Sequence, residues 1–168
     1  MPTRPPNRLP FSLVICGLAE LPTAVKRQRP TYVISITDPD DEPLDFPEAV
    51  AVLRLAFWDV HAMTGMVARK LSVQERDAYP GVDHARVILD FGQQVPTRGR
   101  LLIHCGAGIS RSTAAAFILA AQAKPGDEWG AFQLIKVLRP QAQPNLLLVR
   151  FADKLLGAEG RMSACLWR

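Results

Sequence analysis

Cysteine is scarce in this sequence. Only three of the 168 residues are cysteines, Cys16, Cys105 and Cys165, and no paired Cys/His spacing of the kind that holds zinc occurs. An odd and sparse set also argues against a disulfide framework. We therefore expect neither a metal nor another cofactor, and a reducing cytoplasm is the simplest setting for free thiols.

Long apolar runs and dense basic runs are also missing. No apolar run approaches the roughly 20 residues of a membrane-spanning helix. The first ten residues hold two arginines and four prolines and no secretory apolar region. The formal charge of +4 is only mildly basic, which favours phosphorylated or acidic ligands but falls short of a nucleic-acid footprint. We expect no membrane span and no nucleic-acid partner.

Length and pattern favour one α/β domain. A chain of 168 residues, 48% of them hydrophobic, suits a single domain over residues 1–168, with 1–10 as a loose leader. Apolar strands alternate with helices, which predicts a central, mainly parallel sheet of about four to five strands flanked by helices. The predicted strands are residues 11–17, 31–37, 49–58 and 100–104. The predicted helices are residues 19–28 (or a turn there), 72–79, 82–95, 112–123, 128–138 and 146–156.

One segment carries more chemistry than the rest, since residues 101–113 read LLIHCGAGISRST. An apolar run ends in a His-Cys pair, a small-residue loop follows, and Arg-Ser-Thr leads into an alanine-rich helical segment. A strand, a loop and a helix N-terminus in that order form an anion cradle, because the loop amides point inward and the helix dipole adds positive charge. Cys105 at the start of this loop should be a thiolate. Arg111 at its end can clamp two phosphate oxygens with its planar fork.

Each residue taken alone has a plainer interpretation. A lone cysteine is more often buried and inert, and Arg111 could lie on the surface of a helix. Here cysteine, glycines, arginine and hydroxyls fall together in a strand-loop-helix context. That combination favours a phosphate-binding site in which Cys105 is poised for in-line attack on phosphorus.

The spacing of His-Cys, five residues and Arg-Ser resembles the signature of the cysteine-dependent protein tyrosine and dual-specificity phosphatases. The residues AGISRS are most similar to the dual-specificity branch. Residues 134–145 resemble the R-P…P-N segment that follows the signature helix in that branch, and residues 152–162 resemble small bacterial members. For Arg139 to Asn145, an ordinary helix end and cap is an equally good interpretation.

This resemblance implies a tyrosine phosphatase-like fold and hydrolysis of phosphomonoesters through a phosphocysteine, without a metal. Phosphotyrosine in proteins, with or without phosphoserine and phosphothreonine, is the default substrate; a small phosphomonoester is an alternative, and phosphate or sulfate would bind the loop. Cys105 would be the nucleophile, Ser112 would help the thiolate leave besides capping the helix, and His104 would support the loop. The phosphate-binding loop comprises Gly106, Ala107, Gly108, Ile109, Ser110 and Arg111.

The departing oxygen needs a proton, which a carboxylic acid on a neighbouring loop normally supplies. Asp59 fits best, because it ends the third predicted strand and parallel strand ends gather at one sheet edge. The gap between Asp59 and Cys105 is longer than is usual in the family, and a turn or cap aspartate is the plainer interpretation. The rivals are Asp38, Asp40 and Asp41 after the second strand, and Asp83, which fits a helix cap better.

The remaining histidines and cysteines show less. His61 and His84 have no evident partner in the sequence and are predicted to lie on the surface or in turns. Cys16 and Cys165 are predicted to be core and tail residues. A disulfide with Cys105 stays open, because the sequence does not show the proximity that such a bond needs.

Two other functions compete with a protein phosphatase. A phosphoinositide or inositol-phosphate phosphatase is the first, but family members with those polyanionic substrates often carry lysines in the loop, and residues 106–110 have none. The second is a binding module that recognises phosphate without turnover. The presence of both Cys105 and Arg111 argues against it.

Overall fold

A four-stranded parallel sheet organises the chain. The computed structural model describes residues 9–48, 50–63 and 70–168. The strand order across the sheet is β1-β4-β2-β3, and every pairing is parallel, so the α/β prediction is confirmed. The strands are β1 (Ser12–Gly17), β2 (Tyr32–Thr37), β3 (Ala51–Ala56) and β4 (Arg100–Cys105).

The helices surround one central helix, α4, which follows β4 directly. Its residues from Arg111 to Ala121 are buried, since α4 lies against the sheet and also contacts α3, α5 and α6. Its many alanines allow that close approach on all sides. None of the helices in the described residues is long and apolar enough to cross a membrane. The helices are α1 (Leu21–Gln28), α2 (Val73–Asp77), α3 (Val82–Gln94), α4 (Arg111–Ala123), α5 (Glu128–Leu138), α6 (Leu146–Leu155) and α7 (Arg161–Cys165).

The two faces of the sheet pack in different cores. The larger core fills the space between the sheet and helices α3 to α7 and includes Ile103 and Cys105 of β4. The smaller core lies on the other face beneath α1, where Leu102 packs with Cys16. Because successive side chains of a strand alternate between faces, Cys105 belongs to the face that carries α4.

The element predictions are largely confirmed, with differences around the third strand. That strand was predicted over residues 49–58 but ends at Ala56, because the backbone then turns so that Trp58 N–H donates to Ala78 O over 2.8 Å. Asp59 therefore lies three residues beyond the strand.

Two helix predictions also differ from the structure. Gly81 is the N-cap of α3, and Asp83 instead pairs with Arg86 in the first turn, so the prediction that Asp83 caps this helix was wrong. Helix α7 was not predicted.

Other helix ends follow common capping patterns. Asp127 and Asn145 accept the backbone N–H groups of Gly130 and Leu148, each over 3.0 Å, as N-cap residues do. Gly157 has a positive φ of 63°, as expected of the glycine that follows a helix end. Residues 1–8 of the predicted leader, Ala49, and residues 64–69 of the long 60–80 stretch lie outside the described residues.

Asp153 ties α6 to α7, so its removal should destabilise the fold. This side chain is only 3% exposed, and it accepts hydrogen bonds from Gly160 N–H over 2.7 Å and from Ser163 N–H over 3.0 Å. Asp153→Ala should lower the free energy of unfolding by about 1.5–3 kcal/mol, because buried N–H groups lose a charged acceptor. Urea unfolding measures this. The exposed Asp90→Ala is the control, and an equal loss in both variants would contradict the prediction.

Candidate active site

The loop between β4 and α4 encloses the sulfur of Cys105. The residue is only 2% exposed, and Gly108 N–H donates to Sγ over 3.2 Å. The hydroxyl of Ser112 lies 3.2 Å from Sγ and can donate to it when the sulfur is a thiolate. Together with the N-terminus of α4, these donors stabilise a negative sulfur at the floor of the loop.

Gly108 lets the loop press against the end of β1. Its φ is +70°, and a Cβ there would lie 2.5 Å from the carbonyl carbon of Cys16 and from the nitrogen of Gly17. Both the backbone conformation and the close approach therefore require glycine. This contact explains why glycine occupies position 108 of the loop.

Arg111 is anchored by one of its terminal nitrogens. Nη1 donates to the carbonyl oxygens of Thr37 over 3.1 Å and Phe57 over 2.7 Å, and to Asp38 Oδ1 over 2.7 Å. The side chain is 7% exposed, and its Nε is buried without a hydrogen-bond partner among the described residues. A buried donor without an acceptor is costly. The Nε edge of the guanidinium is therefore the part that an oxyanion in the loop would satisfy.

Asp59 reaches the same loop from the segment after β3. Its Oδ1 accepts hydrogen bonds from Ser110 Oγ over 2.6 Å and from Asn145 Nδ2 over 2.8 Å. Asn145 was predicted only as a helix cap, yet it also holds the aspartate beside the loop. The structure thus brings Asp59 to the site despite its long sequence separation from Cys105.

The rival acids differ in what they contact. Asp38 also lies at the site, but its carboxylate is engaged with Arg111 over 2.7 Å. Asp41 Oδ2 accepts the backbone N–H of Asp38 over 3.1 Å and so shapes the acidic loop, in which Asp40 is exposed. Asp83 belongs to the first turn of α3, where it pairs with Arg86. Asp38 and Asp59 are therefore the two acids to compare.

His61 is exposed in a bend, as predicted, whereas His84 is half-buried in α3, and both have partners that the sequence did not show. His61 Nε2 lies 3.1 Å from Ser110 Oγ and 3.6 Å from Asp59 Oδ1, while its Nδ1 accepts Leu146 N–H over 3.4 Å. Because the Ser110 hydroxyl donates to Asp59, we assign the His61 proton to Nε2, facing the loop. His84 packs on Phe57 with 4.5 Å between ring centroids, and burial lowers its pKa.

These contacts had no signal in the sequence. The partners of His61 are about fifty and eighty-five positions away along the chain, so only the fold brings them together. The proximity of His61 to Asp59 in the sequence was visible, but nothing in composition or spacing indicated that both would face the loop between β4 and α4.

His104 and the hydroxyls after Arg111 each have a defined place. His104 is completely buried, with Nε2 2.8 Å from Ser35 Oγ on β2, and burial lowers its pKa so that the neutral ring is favoured. Ser112 faces the sulfur and makes no capping hydrogen bond, contrary to the capping role predicted for it; Ser110 occupies the N-cap position. Thr113 Oγ1 donates back to Ser110 O over 3.0 Å.

All three cysteines are free thiols, so the disulfide with Cys105 that the sequence left open is not formed. Cys16 packs on the opposite face of the sheet, and burial is the main cause that raises its pKa to about 11. Cys165 is a buried residue of α7, where its thiol donates to Arg161 O over 3.2 Å. Within the described part of the chain, no three His, Cys, Asp or Glu side chains gather into a metal site.

Solved structures, but no family profile or curated protein, are similar to this chain. No protein-family profile matches this sequence, and no curated protein is detectably similar to it. Among solved structures, human DUSP28 is 20% identical, with 93% of this chain and 97% of that chain covered and a TM-score of 0.62. The Yvh1 phosphatase domain from Chaetomium thermophilum is 19% identical, with 95% and 97% covered and a TM-score of 0.58.

PTPMT1 in complex with PI(5)P is 15% identical, with 89% of this chain and 94% of that chain covered and a TM-score of 0.58. The chain therefore has the fold seen in these solved phosphatase structures, DUSP28, DUSP15 and Yvh1 among them. The resemblance stated from the sequence is confirmed at the level of the fold. The likeness to small bacterial members stays a prediction.

Arg111→Lys should weaken the binding of inorganic phosphate by about tenfold or more, because lysine offers a point charge without the planar fork. Isothermal titration calorimetry at fixed pH and ionic strength measures the affinity. Arg150→Lys, the same change at an exposed position on α6, is the matched control. Unchanged affinity in the Arg111 variant would mean that this guanidinium does not bind the anion.

Proposed function

We propose that this protein hydrolyses phosphomonoesters through a phosphocysteine intermediate, with phosphotyrosine in proteins as its substrate class. One observation carries the proposal. The buried Nε of Arg111 has no partner among the described residues, and it belongs to the same loop that surrounds the Cys105 sulfur with donors. An anion-binding loop built around a nucleophilic sulfur has phosphoryl transfer as its natural chemistry.

In the first step, the Cys105 thiolate attacks phosphorus in line with the ester oxygen. A sulfur–phosphorus bond forms while the phosphorus–oxygen bond breaks, and the departing oxygen takes a proton from a carboxylic acid. The free edge of Arg111 and the inward N–H groups of the loop stabilise the equatorial oxygens as charge develops on them. In the second step, water attacks phosphorus, the same carboxylate takes the water's proton, and the thiolate leaves with the Ser112 hydroxyl donating to it.

We assign the acid role to Asp59. Among the described residues its contacts with Ser110 and Asn145 fall on Oδ1, which leaves Oδ2 to reach a substrate oxygen. Asp38 is instead occupied with Arg111 and orients the guanidinium. His61 borders the acid and the loop, and it contacts Ser110 rather than replacing the carboxylate.

The two competing functions remain distinguishable by experiment. PTPMT1, solved in complex with PI(5)P, shares this fold, but a shared fold does not imply a shared substrate. Residues 106–110 also contain no lysine that could bind a polyanionic substrate. A binding module without turnover would not need the donors around the sulfur. The free thiol that the mechanism requires favours the reducing cytoplasm as the setting.

Cys105→Ser should abolish hydrolysis of para-nitrophenyl phosphate while retaining phosphate binding, because the cradle remains and only the nucleophile is lost. A colorimetric assay and calorimetry on the same preparation measure the two properties. Cys165→Ser, at a buried cysteine away from the loop, should keep turnover. Substantial residual hydrolysis by Cys105→Ser would overturn the proposed mechanism, and an inactive wild-type protein that binds phosphate would favour the binding module.

Asp59→Asn should slow hydrolysis of phosphotyrosine by about 10²–10⁴, the usual range for positioned proton transfer. The loss should be much smaller with para-nitrophenyl phosphate, whose leaving group hardly needs a proton, and the basic limb of the pH–rate profile should flatten. Asp38→Asn is the matched comparison and should slow both substrates similarly, since it disturbs Arg111. If Asp38→Asn instead shows the leaving-group dependence, the acid lies on the loop after β2.

A further inference from the structure

Arg139 contacts the outer side of the phosphate loop. It follows α5, and its Nε donates to Gly108 O over 2.9 Å while Nη2 donates to Ala107 O over 3.3 Å. The side chain is only 11% exposed. In the sequence analysis, an ordinary helix end was an equally good interpretation of this residue. In the structure its guanidinium donates to two successive carbonyl groups of the loop.

Glu20, at the start of α1, holds that guanidinium in place. Its two carboxylate oxygens accept from Nη1 of Arg139 over 2.7 Å and from Nη2 over 2.6 Å, in the parallel two-bond geometry that fixes direction as well as distance. Oε2 also accepts Gly17 N–H over 2.8 Å. These bonds, chiefly the one from Arg139, lower the pKa of the Glu20 carboxyl and keep it ionised.

The orientation of each N–H group in the loop follows from the orientation of the carbonyl group in the same peptide unit. In a trans peptide the C=O and N–H of one unit point in opposite directions. Arg139 draws Ala107 O outward, so the N–H of Gly108 points inward, where it reaches the Cys105 sulfur over 3.2 Å. The same argument turns the N–H of Ile109 inward, because Gly108 O is also held by Arg139.

A third peptide unit is held by the backbone of the same region. Leu18 N–H donates to Gly106 O over 2.9 Å, which leaves the N–H of Ala107 facing the inside of the loop. Three successive carbonyls are thus bound from outside by residues of one small region around the end of β1 and the end of α5. Their three N–H groups are the ones that a phosphate in the loop would use.

We propose that Glu20 and Arg139 form a positioning pair that keeps the loop's N–H groups directed at the Cys105 sulfur and at the phosphate. The inference deepens the proposed function and rests on it for the identity of the nucleophile. Arg139 acts through the backbone of Ala107 and Gly108 and touches no reacting atom. Glu20 acts through Arg139.

A purely structural ion pair would behave differently. Arg161 and Glu128 form a comparable pair between α7 and α5, with Nε and Nη2 each 3.2 Å from a carboxylate oxygen, and they contact no residue of the loop. Loss of either pair removes two charged hydrogen bonds at a helix end. Only loss of the Glu20–Arg139 pair frees carbonyls of the phosphate loop.

The test measures how fast iodoacetamide alkylates Cys105 as a function of pH, with the labelled site assigned by mass spectrometry. Arg139→Ala should move the midpoint of this profile to higher pH, because a thiolate that loses a directed N–H donor forms less readily. Inorganic phosphate affinity should fall about tenfold, as expected when hydrogen bonds to a charged ligand are misdirected. Arg161→Ala should change neither property, whatever its effect on stability.

Further variants keep the test decisive if Arg139→Ala folds poorly. Arg139→Lys keeps the charge but cannot span two carbonyls and a carboxylate, so it should show the same shift in smaller degree. Glu20→Gln should shift the profile in the wild-type background and have little further effect beside Arg139→Lys, since coupled residues are not additive. An unchanged profile and unchanged phosphate affinity in a folded Arg139 variant would overturn the positioning role.

These measurements do not depend on turnover. One outcome is that the wild-type protein fails to hydrolyse phosphomonoesters while the Arg139 variants still shift the alkylation profile and weaken phosphate binding. In that case the proposed function fails and the positioning role stands. If turnover is confirmed while those two properties stay unchanged, the function stands and the positioning role fails. In active variants, kcat should fall about 10- to 100-fold, the scale expected when the reacting groups are slightly misplaced.

Discussion

The bonds from Arg111 Nη1 to the backbone oxygens of Thr37 and Phe57 are the interaction on which the site depends. They exist because β2 and β3 run parallel to β4, so the chain leaves all three strands at one edge of the sheet. With Nη1 fixed there, Nε is left buried without a hydrogen-bond partner among the described residues. The position of the Arg111 guanidinium thus depends on the sheet as much as on the loop.

The loop has an inner and an outer side with separate partners. On the inside, the Gly108 N–H and the Ser112 hydroxyl face the Cys105 sulfur. On the outside, Arg139 and the backbone of Leu18 hold the carbonyl oxygens. A short loop of small residues has few side-chain contacts of its own, and a larger side chain at position 108 would clash with the backbone of β1. Its shape therefore depends on residues that lie far away in the sequence.

The acid and its surroundings show a similar dependence. Asp59, Ser110 and Asn145 come from three segments and meet in one hydrogen-bonded group, with His61 beside them. Asn145 both caps α6 and holds Asp59, which also accepts a hydrogen bond from Ser110, so the end of the loop is coupled to a helix cap. The segment after β3 is consequently held against the loop at Asp59, whatever the length of chain that follows.

Sequence alone determined the strand-loop-helix unit of β4 and α4, the other strands in outline and the caps of α5 and α6, since these depend on local periodicity, capping residues and spacing. It therefore identified Cys105 and Arg111, whose chemistry lies within seven consecutive residues. The places of Asp38, His61, Glu20 and Arg139 were decided only by tertiary structure. Asp38, His61 and Arg139 contact loop residues that lie far away along the chain, and Glu20 contacts Arg139. A sequence shows that a side chain can carry charge or form hydrogen bonds, but it does not show which distant residue will be its partner.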